Sequence, residues 1–161
     1  MNILIACDNN YIKYYMVVLE SLCHNNISEQ IDVYFLCSDE SMCNNLKQIS
    51  EVLRKYGKEL HVKVVDSLKL GHAPLGSWSI EMYFRLLAFE WILDIEDRIL
   101  WLDGDTIVNQ SIVGLYNMDF SGSYYIACKD MAMVDDKERH AKLGIENSIY
   151  VNTGVLFINI A

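Results

Sequence analysis

The sequence predicts an α/β domain with a mostly parallel central sheet flanked by helices, and three observations predict it. Short apolar runs (NILIAC, IDVYFLC, LHVKVV) are separated by stretches with helical spacing, the order that builds parallel strands joined by crossover helices. The first run closes on Asp8-Asn9-Asn10 and a later one, RILWL, closes on LDGDT. Polar clusters directly behind apolar runs are how buried strands end at a sheet edge. The 161 residues include 52% hydrophobic residues and one proline, enough apolar material for the core of one domain and too much for disorder.

The elements come in this order. Residues 2–7 form the first strand. Residues 11–24 have helical spacing, with Tyr14, Val17, Val18, Ser21 and Leu22 on one side, and Asn25-Asn26 ends the helix. Residues 31–37 are the second strand. Residues 41–56 form a helix with Ser41 as N-cap and Gly57 as its stop. Residues 60–65 alternate as a third strand. A loop over 66–78 holds the lone proline, Pro74. Residues 79–93 (SIEMYFRLLAFEWIL) predict a largely buried helix, and 98–102 a fourth strand that delivers Asp103. One or two helical turns over 111–116, a strand over 124–128 and a charged connection over 129–148 with one short helix come next. Residues 150–160 resume strand character, broken in the middle by Asn152-Thr153-Gly154. The chain stops one residue after this apolar strand, which suggests a fragment, with a C-terminal part missing.

The formal net charge of −9 repels phosphate backbones and anionic lipid, so nucleic acid is not expected as a partner. An anionic ligand would then need a cation or local donors. The N-terminus lacks the basic start of a signal peptide, no stretch is long enough to span a membrane, and five cysteines without CxxC spacing read as reduced, mostly buried thiols of a cytoplasmic protein. The four histidines read as surface or core residues.

Asp103 and Asp105 carry the chemistry. Clustered carboxylates repel unless a cation or donors compensate, and oxygen ligands suit hard ions such as Mg²⁺ and Mn²⁺. Gly104 between them allows a tight turn and close approach of a ligand. In a parallel sheet the clusters behind the first and fourth strands share one edge, where α/β proteins bind ligands. Any one such cluster is also an ordinary polar turn. Other phosphate devices fail: residues 71–77 have P-loop glycine spacing but Ser77 in place of lysine, and no GxGxxG follows a strand. A phosphohydrolase of the haloacid dehalogenase type uses DxD followed by Thr or Val two places on; here that place holds Ile107.

Four blocks, NILIACDNNY, SIEMYFRLLAFEWI, RILWLDGDTIV and YVNTGVLFINI, resemble in order the N-terminal, nucleotide-binding part of retaining glycosyltransferase family 8, which includes bacterial lipooligosaccharide galactosyl- and glucosyltransferases and glycogenin. The resemblance implies a Rossmann-like, GT-A type fold over residues 1–161. It implies transfer of glucose or galactose from a UDP-hexose to a carbohydrate acceptor with retention, dependent on Mn²⁺ or Mg²⁺. It places Asp8 and Asn10 at the uracil, Tyr11 stacked on it, and Asp103 and Asp105 on the metal, with Asp103 and Gly104 also near the nucleotide. Arg85 falls beside the donor sugar and the motif acids, Asn152 and Gly154 in a turn under that sugar, and Asp130 beside its pocket, so Arg85 and Asp130 are the catalytic candidates. Taken singly, Tyr11 reads equally as a core residue at a helix start, Arg85 as an i, i+4 ion-pair partner of Glu81, and Asp130 as a loop acid. The family's third metal ligand, a histidine, and its Asp-Gln pair lie beyond position 161. A catalytically incomplete nucleotide-sugar-binding fragment is therefore the alternative to an active transferase. A missing C-terminal part would also be the element for peripheral membrane association, and the apolar patch left by its absence a place for homo-oligomer contact.

Overall fold

A computed structural model describes residues 1–38, 46–71, 73–74, 79–91, 95, 97–145 and 148–160. The expected Ser41 cap, Cys43, His72 and residues 92–93 of the third predicted helix lie outside these. Six strands form one sheet: β1 (Asn2–Ala6), β2 (Asp32–Cys37), β3 (Glu59–Val64), β4 (Arg98–Leu102), β5 (Tyr125–Lys129) and β6 (Val151–Asn159). Their order is β3-β2-β1-β4-β6-β5. The β1–β2, β2–β3 and β1–β4 pairs are parallel, and β6 runs antiparallel to both β4 and β5. Only β6 is reversed, so its start lies at the same edge as the carboxyl ends of β1, β4 and β5. That edge gathers the candidate residues of CDNNY, the DxD pair and the Asn152-Thr153-Gly154 triplet.

The central strands are buried on both faces. Alternate residues of β1 and β4 feed two cores, which is why their sequences are nearly continuous apolar runs. On one face Ile3, Ile5, Val33, Phe35, Leu100 and Phe157 pack against α1 (Ile12–Asn25) and α2 (Lys47–Lys55). On the other, Leu4, Ala6, Ile99 and Trp101 pack against Phe84 and Ala88 of α3 (Phe84–Trp91). Burying one such large side chain contributes roughly 1.5–3 kcal/mol, so β1 and β4 are firm supports for the loops at their carboxyl ends.

Three expectations change. Helix α1 buries Ile12, Tyr15, Val18, Leu19, Leu22 and Cys23, while Tyr14 and Val17 are about half exposed. The buried face shares Val18 and Leu22 with the expected stripe and brings the Tyr15 hydroxyl to the carbonyls of Ala6 (3.2 Å) and Leu102 (3.0 Å). The predicted helix over 79–93 begins as a 3-10 turn (Ile80–Tyr83) before α3, and its burial is one-sided: Phe84 and Ala88 are inside while Leu86 is exposed. Strand β6 is continuous. At its Asn152-Thr153-Gly154 stretch the pairing to β5 jumps from Ala127↔Leu156 to Cys128↔Asn152, so the polar triplet bulges from one neighbour and stays against the other.

The remaining connections carry one short helix each. Helix α4 (Val113–Tyr116) turns the chain after β4. Helix α5 (Lys137–Leu143) starts with the Asp136 carboxylate accepting from the Arg139 N–H and stops at Gly144 in the left-handed region. Cys7, Cys23 and Cys37 are buried thiols, whereas Cys128 is exposed on β5. Among the described residues no helix is long and apolar enough to cross a membrane. Strand β5 is half-covered, and Tyr124, Tyr125, Met131, Ile149 and Val151, on it and the segments around it, are exposed.

Candidate functional site

A cleft opens at the carboxyl edge of β1 and β4. It is lined by Asp8 and Tyr11 behind β1, by Arg85 of α3, and by Asp103, Gly104 and Asp105 behind β4. Cys7, Tyr15, Ser79, Met82 and Trp101 complete its floor and sides. Two polar clusters some 95 residues apart in sequence thus meet because β1 and β4 are parallel neighbours in register, Ile3 beside Leu100 and Leu4 beside Trp101.

The first wall is a self-contained turn. Asp8 Oδ1 accepts from the backbone N–H groups of Asn10 (2.9 Å) and Tyr11 (3.2 Å), and Oδ2 accepts from the Asn10 side-chain amide (3.1 Å). This is the aspartate turn that the CDNN sequence predicts taken alone, and it leads directly into α1. Tyr11 presents its ring to the cleft at about half exposure, tilted against Tyr14 with centroids 5.2 Å apart. Asn10 does not line the cleft. It borders a separate shallow depression with Asn9, Ile12, Lys13 and Gln48.

The second wall spans three elements. Trp101, Asp103 and the α3 helix lie on one face of the sheet, since residues two apart on a strand point the same way. Asp103 Oδ1 accepts from Arg85 Nη2 at 2.9 Å and from the Trp101 indole N–H at 2.7 Å. The Arg85 guanidinium lies over the Trp101 ring, 4.2 Å from its centroid, and its Nη1 donates to the carbonyl (2.6 Å) and hydroxyl (3.1 Å) of Thr153. The Asp103 N–H donates to the Gly154 carbonyl at 2.7 Å, and the Asn152 side chain accepts from the Gly154 N–H at 2.9 Å. A Cβ on Gly154 would sit 3.1 Å from both Asp103 Oδ2 and Asn152 Oδ1, so only glycine leaves that carboxylate oxygen unobstructed.

One expectation about an individual residue is corrected and one agrees with the structure. Arg85 does not pair with Glu81. The 3-10 turn before α3 takes Glu81 out of i, i+4 α-helical register, and this buried carboxylate accepts from the Ser38 hydroxyl at 2.8 Å instead. Gly104 lies in a tight turn as expected, with the Thr106 N–H donating to the Asp103 carbonyl at 3.3 Å; a Cβ there would come within 3.0 Å of the Tyr15 ring and 3.4 Å of the Tyr11 ring. The two tyrosines lean on the DxD backbone and join the walls. Burial raises the Tyr15 phenol far above its ordinary pKa, and the nearby Asp103 carboxylate adds to the shift, so its hydroxyl stays a donor to the strand carbonyls at any ordinary pH. Burial raises the Cys7 thiol in the same way.

Asp130 follows β5 at the same edge but stays out of the cleft, its carboxylate accepting from the Ala132 N–H at 2.9 Å. Trp101, Thr153 and Tyr15 are the participants that sequence reasoning missed. Trp101 alone carries a local signal, two residues before Asp103 on the same strand face.

A divalent ion is a chemical match for the cleft's acids. Asp105 is exposed and has no hydrogen-bond partner among the described residues, and Asp103 Oδ2 is likewise unbonded there. Two hard oxygen donors facing one cleft, with the Gly154 gap kept open beside one of them, suit Mg²⁺ or Mn²⁺ with positions left for phosphate oxygens. A different group, Asp32, Glu59 and His61, brings three ligand atoms within 4.8 Å of one another. It lies at the starts of β2 and β3, the opposite edge of the sheet, where His61 stacks on Tyr34 with centroids 4.8 Å apart.

Residues 2–161 match the family model for glycosyl transferase family 8. The chain belongs to glycosyl transferase family 8. It is 24% identical over 161 residues to a lipopolysaccharide 1,2-glucosyltransferase of Escherichia coli, covering 99% of this chain and 47% of that protein. It is 28% identical over 163 residues to a putative glycosyltransferase of Haemophilus influenzae, covering 99% and 48%. Among solved structures it resembles the galactosyltransferase LgtC in complex with donor and acceptor sugar analogs, with a TM-score of 0.85 and 27% identity over 99% of this chain and 58% of that one. The chain spans about half the length of the curated relatives it matches. Family membership bears out the resemblance read in the four sequence blocks and the Rossmann-like, GT-A type sheet, and it sets aside the phosphohydrolase reading.

Proposed function

We propose that this chain supplies the donor-binding half of a metal-dependent hexosyltransferase that moves glucose or galactose from UDP to a carbohydrate acceptor with retention. One observation carries the reading: the Asp8–Tyr11 turn and the Asp103–Asp105 pair, distant in sequence, line a single cleft at the sheet edge. A flat base needs an aromatic face with a fixed polar group beside it, which Tyr11 and Asp8 supply in the cleft, while Asn10 holds the Asp8 carboxylate in place from outside it. A diphosphate needs positive charge, and the chain as a whole is strongly acidic. Asp103 and Asp105 would hold Mn²⁺ or Mg²⁺, whose chemistry is to neutralise the departing diphosphate. Among the described residues Arg85 is the cation that lines the cleft, and its pairing with Asp103 and Thr153 fixes where its charge acts. Asn152 and Gly154 shape the floor beneath the donor sugar, and Asp130 approaches only from outside. The glucosyl and galactosyl relatives support a hexose donor.

A second reading has an observation of its own. The chain covers about half of its relatives, and within the described residues the cleft offers two carboxylates as cation ligands. On that reading the chain folds and holds nucleotide without turnover. Calorimetry and UDP-release assays with UDP-glucose and UDP-galactose, each with Mn²⁺ and with EDTA, separate the cases. Metal-dependent binding of both donors is the expected result, with turnover deciding between the readings. Equal binding of UDP-hexose with EDTA, or a preference for an adenine or guanine nucleotide, would contradict the base and metal assignments.

A further inference from the structure

We infer that Trp101 is a positioning residue that, with Arg85, fills both acceptor sites of Asp103 Oδ1 and so makes Asp103 a one-oxygen ligand acting through Oδ2. The inference rests on the reading of Asp103 as a cation ligand and goes beyond it by naming the atom that binds and the residue that selects it.

A carboxylate oxygen offers two lone pairs in the carboxylate plane. At Asp103 Oδ1 both have a donor: the Trp101 indole N–H at 2.7 Å and Arg85 Nη2 at 2.9 Å. Both distances fall within the charge-assisted range, where hydrogen bonds are strongest. No lone pair on Oδ1 remains for a cation. Oδ2 is without a hydrogen bond among the described residues and faces the space that Gly154 keeps clear. The carboxylate is thus held from one side and open on the other.

Trp101 is suited to the task. It is 1% exposed, and a buried indole N–H needs a partner; the same strand provides it two residues on. Its ring is clamped in the α3-side core with Phe84 and Ala88, so the N–H cannot swing away. The ring also carries Arg85 at 4.2 Å, a cation–π contact that stacks the guanidinium where its Nη2 meets the same oxygen. One side chain therefore orients Asp103 directly and again through Arg85. Tyrosine or phenylalanine at this position would keep a ring for the arginine but place no donor at that point. Partners that orient a metal-ligating group commonly change metal affinity by roughly 10–100-fold when removed.

Trp101→Phe keeps the ring and deletes the N–H. With UDP present, Mn²⁺ affinity read by electron paramagnetic resonance is expected to fall about tenfold or more in this variant, while its circular dichroism shows the same fold as wild type. The wild-type protein gives a second test that needs no variant. The Trp101 indole resonance, identified by sequential assignment of the isotope-labelled wild-type protein, should broaden early as Mn²⁺ is added with UDP. It should stay slow to exchange with solvent when Mg²⁺ replaces Mn²⁺, because the indole bond to Oδ1 survives cation binding. If Asp103→Asn abolishes metal binding but Trp101→Phe matches wild type within twofold, the positioning role is wrong while the donor-site reading stands. Acceleration of indole exchange on Mg²⁺ addition would mean that the cation takes both oxygens, and would overturn the one-oxygen claim even if Trp101→Phe failed to fold. Absence of metal binding in wild type with UDP would remove the donor-site reading and the inference together.

Discussion

On the β1–α1 wall of the cleft, the hydrogen bonds of Asp8 close within three residues, onto Asn10 and Tyr11. On the β4–β6 wall, Asp103 is bonded to Arg85, 18 residues away, and Arg85 in turn to Thr153, 68 residues away. The first wall is a turn that the chain can form from its own sequence. The second exists only when β4, β6 and α3 have all been assembled. Local turns contribute little individually and depend on little else, whereas a network across elements fails as a unit. The two walls should therefore respond differently to substitution, in size and in additivity.

The largest effect is expected at Arg85. The Arg85 side chain is 10% exposed and that of Asp103 33%, so Arg85→Met strands a largely enclosed carboxylate. About 2 kcal/mol should be lost, between the values for exposed and fully buried pairs, as measured by urea denaturation. Gly154→Ala comes next, at about 1–2 kcal/mol, because its methyl meets two oxygens at 3.1 Å; it should also weaken Mn²⁺ binding in the presence of UDP. Asp8→Ala should cost about 1 kcal/mol, the net worth of the hydrogen bonds its carboxylate accepts within its own turn. It should add to Arg85→Met within about 0.5 kcal/mol, while Arg85→Met and Trp101→Phe should depart from additivity by more than that. A strongly non-additive Asp8–Arg85 cycle would show that the walls are one cooperative unit and end the distinction. The smallest stability effect is expected at Asp105, exposed and without a partner among the described residues. Asp105→Asn should change folding stability by less than about 0.5 kcal/mol and still abolish metal-dependent UDP binding.

The same contrast governs what is legible in the sequence. CDNNY announces its turn because the residues that make it are adjacent, and the apolar runs announce β1, β2 and β4 because strands buried on two faces leave a continuous pattern. The DxD pair and the triplet Asn152-Thr153-Gly154 stand out, yet nothing local says that β6 reverses and lays the triplet against Asp103. The buried face of α1 shares Val18 and Leu22 with the expected stripe but turns toward the more apolar side, where Ile12, Tyr15, Leu19 and Cys23 lie, and the Tyr15 hydroxyl donates to two strand carbonyls there. Arg85 reads as a partner for Glu81 only if the helix begins at residue 79. The 3-10 start redirects both side chains, and no spacing rule reveals it. Asp130 reaches the expected edge with its strand, but its carboxylate is spent on its own turn.

On the proposed function, Asp103 and Asp105 would hold a divalent cation in the cleft, and that cation would offset the charge of a nucleotide diphosphate. The most direct test is an anomalous diffraction map from crystals soaked with Mn²⁺ and UDP. A manganese peak bonded to Asp103 Oδ2 and an Asp105 oxygen, with UDP phosphate oxygens in its remaining positions and the uracil over Tyr11, is the predicted result. UDP bound in the cleft with manganese only at Asp32, Glu59 and His61, or with none, would contradict it.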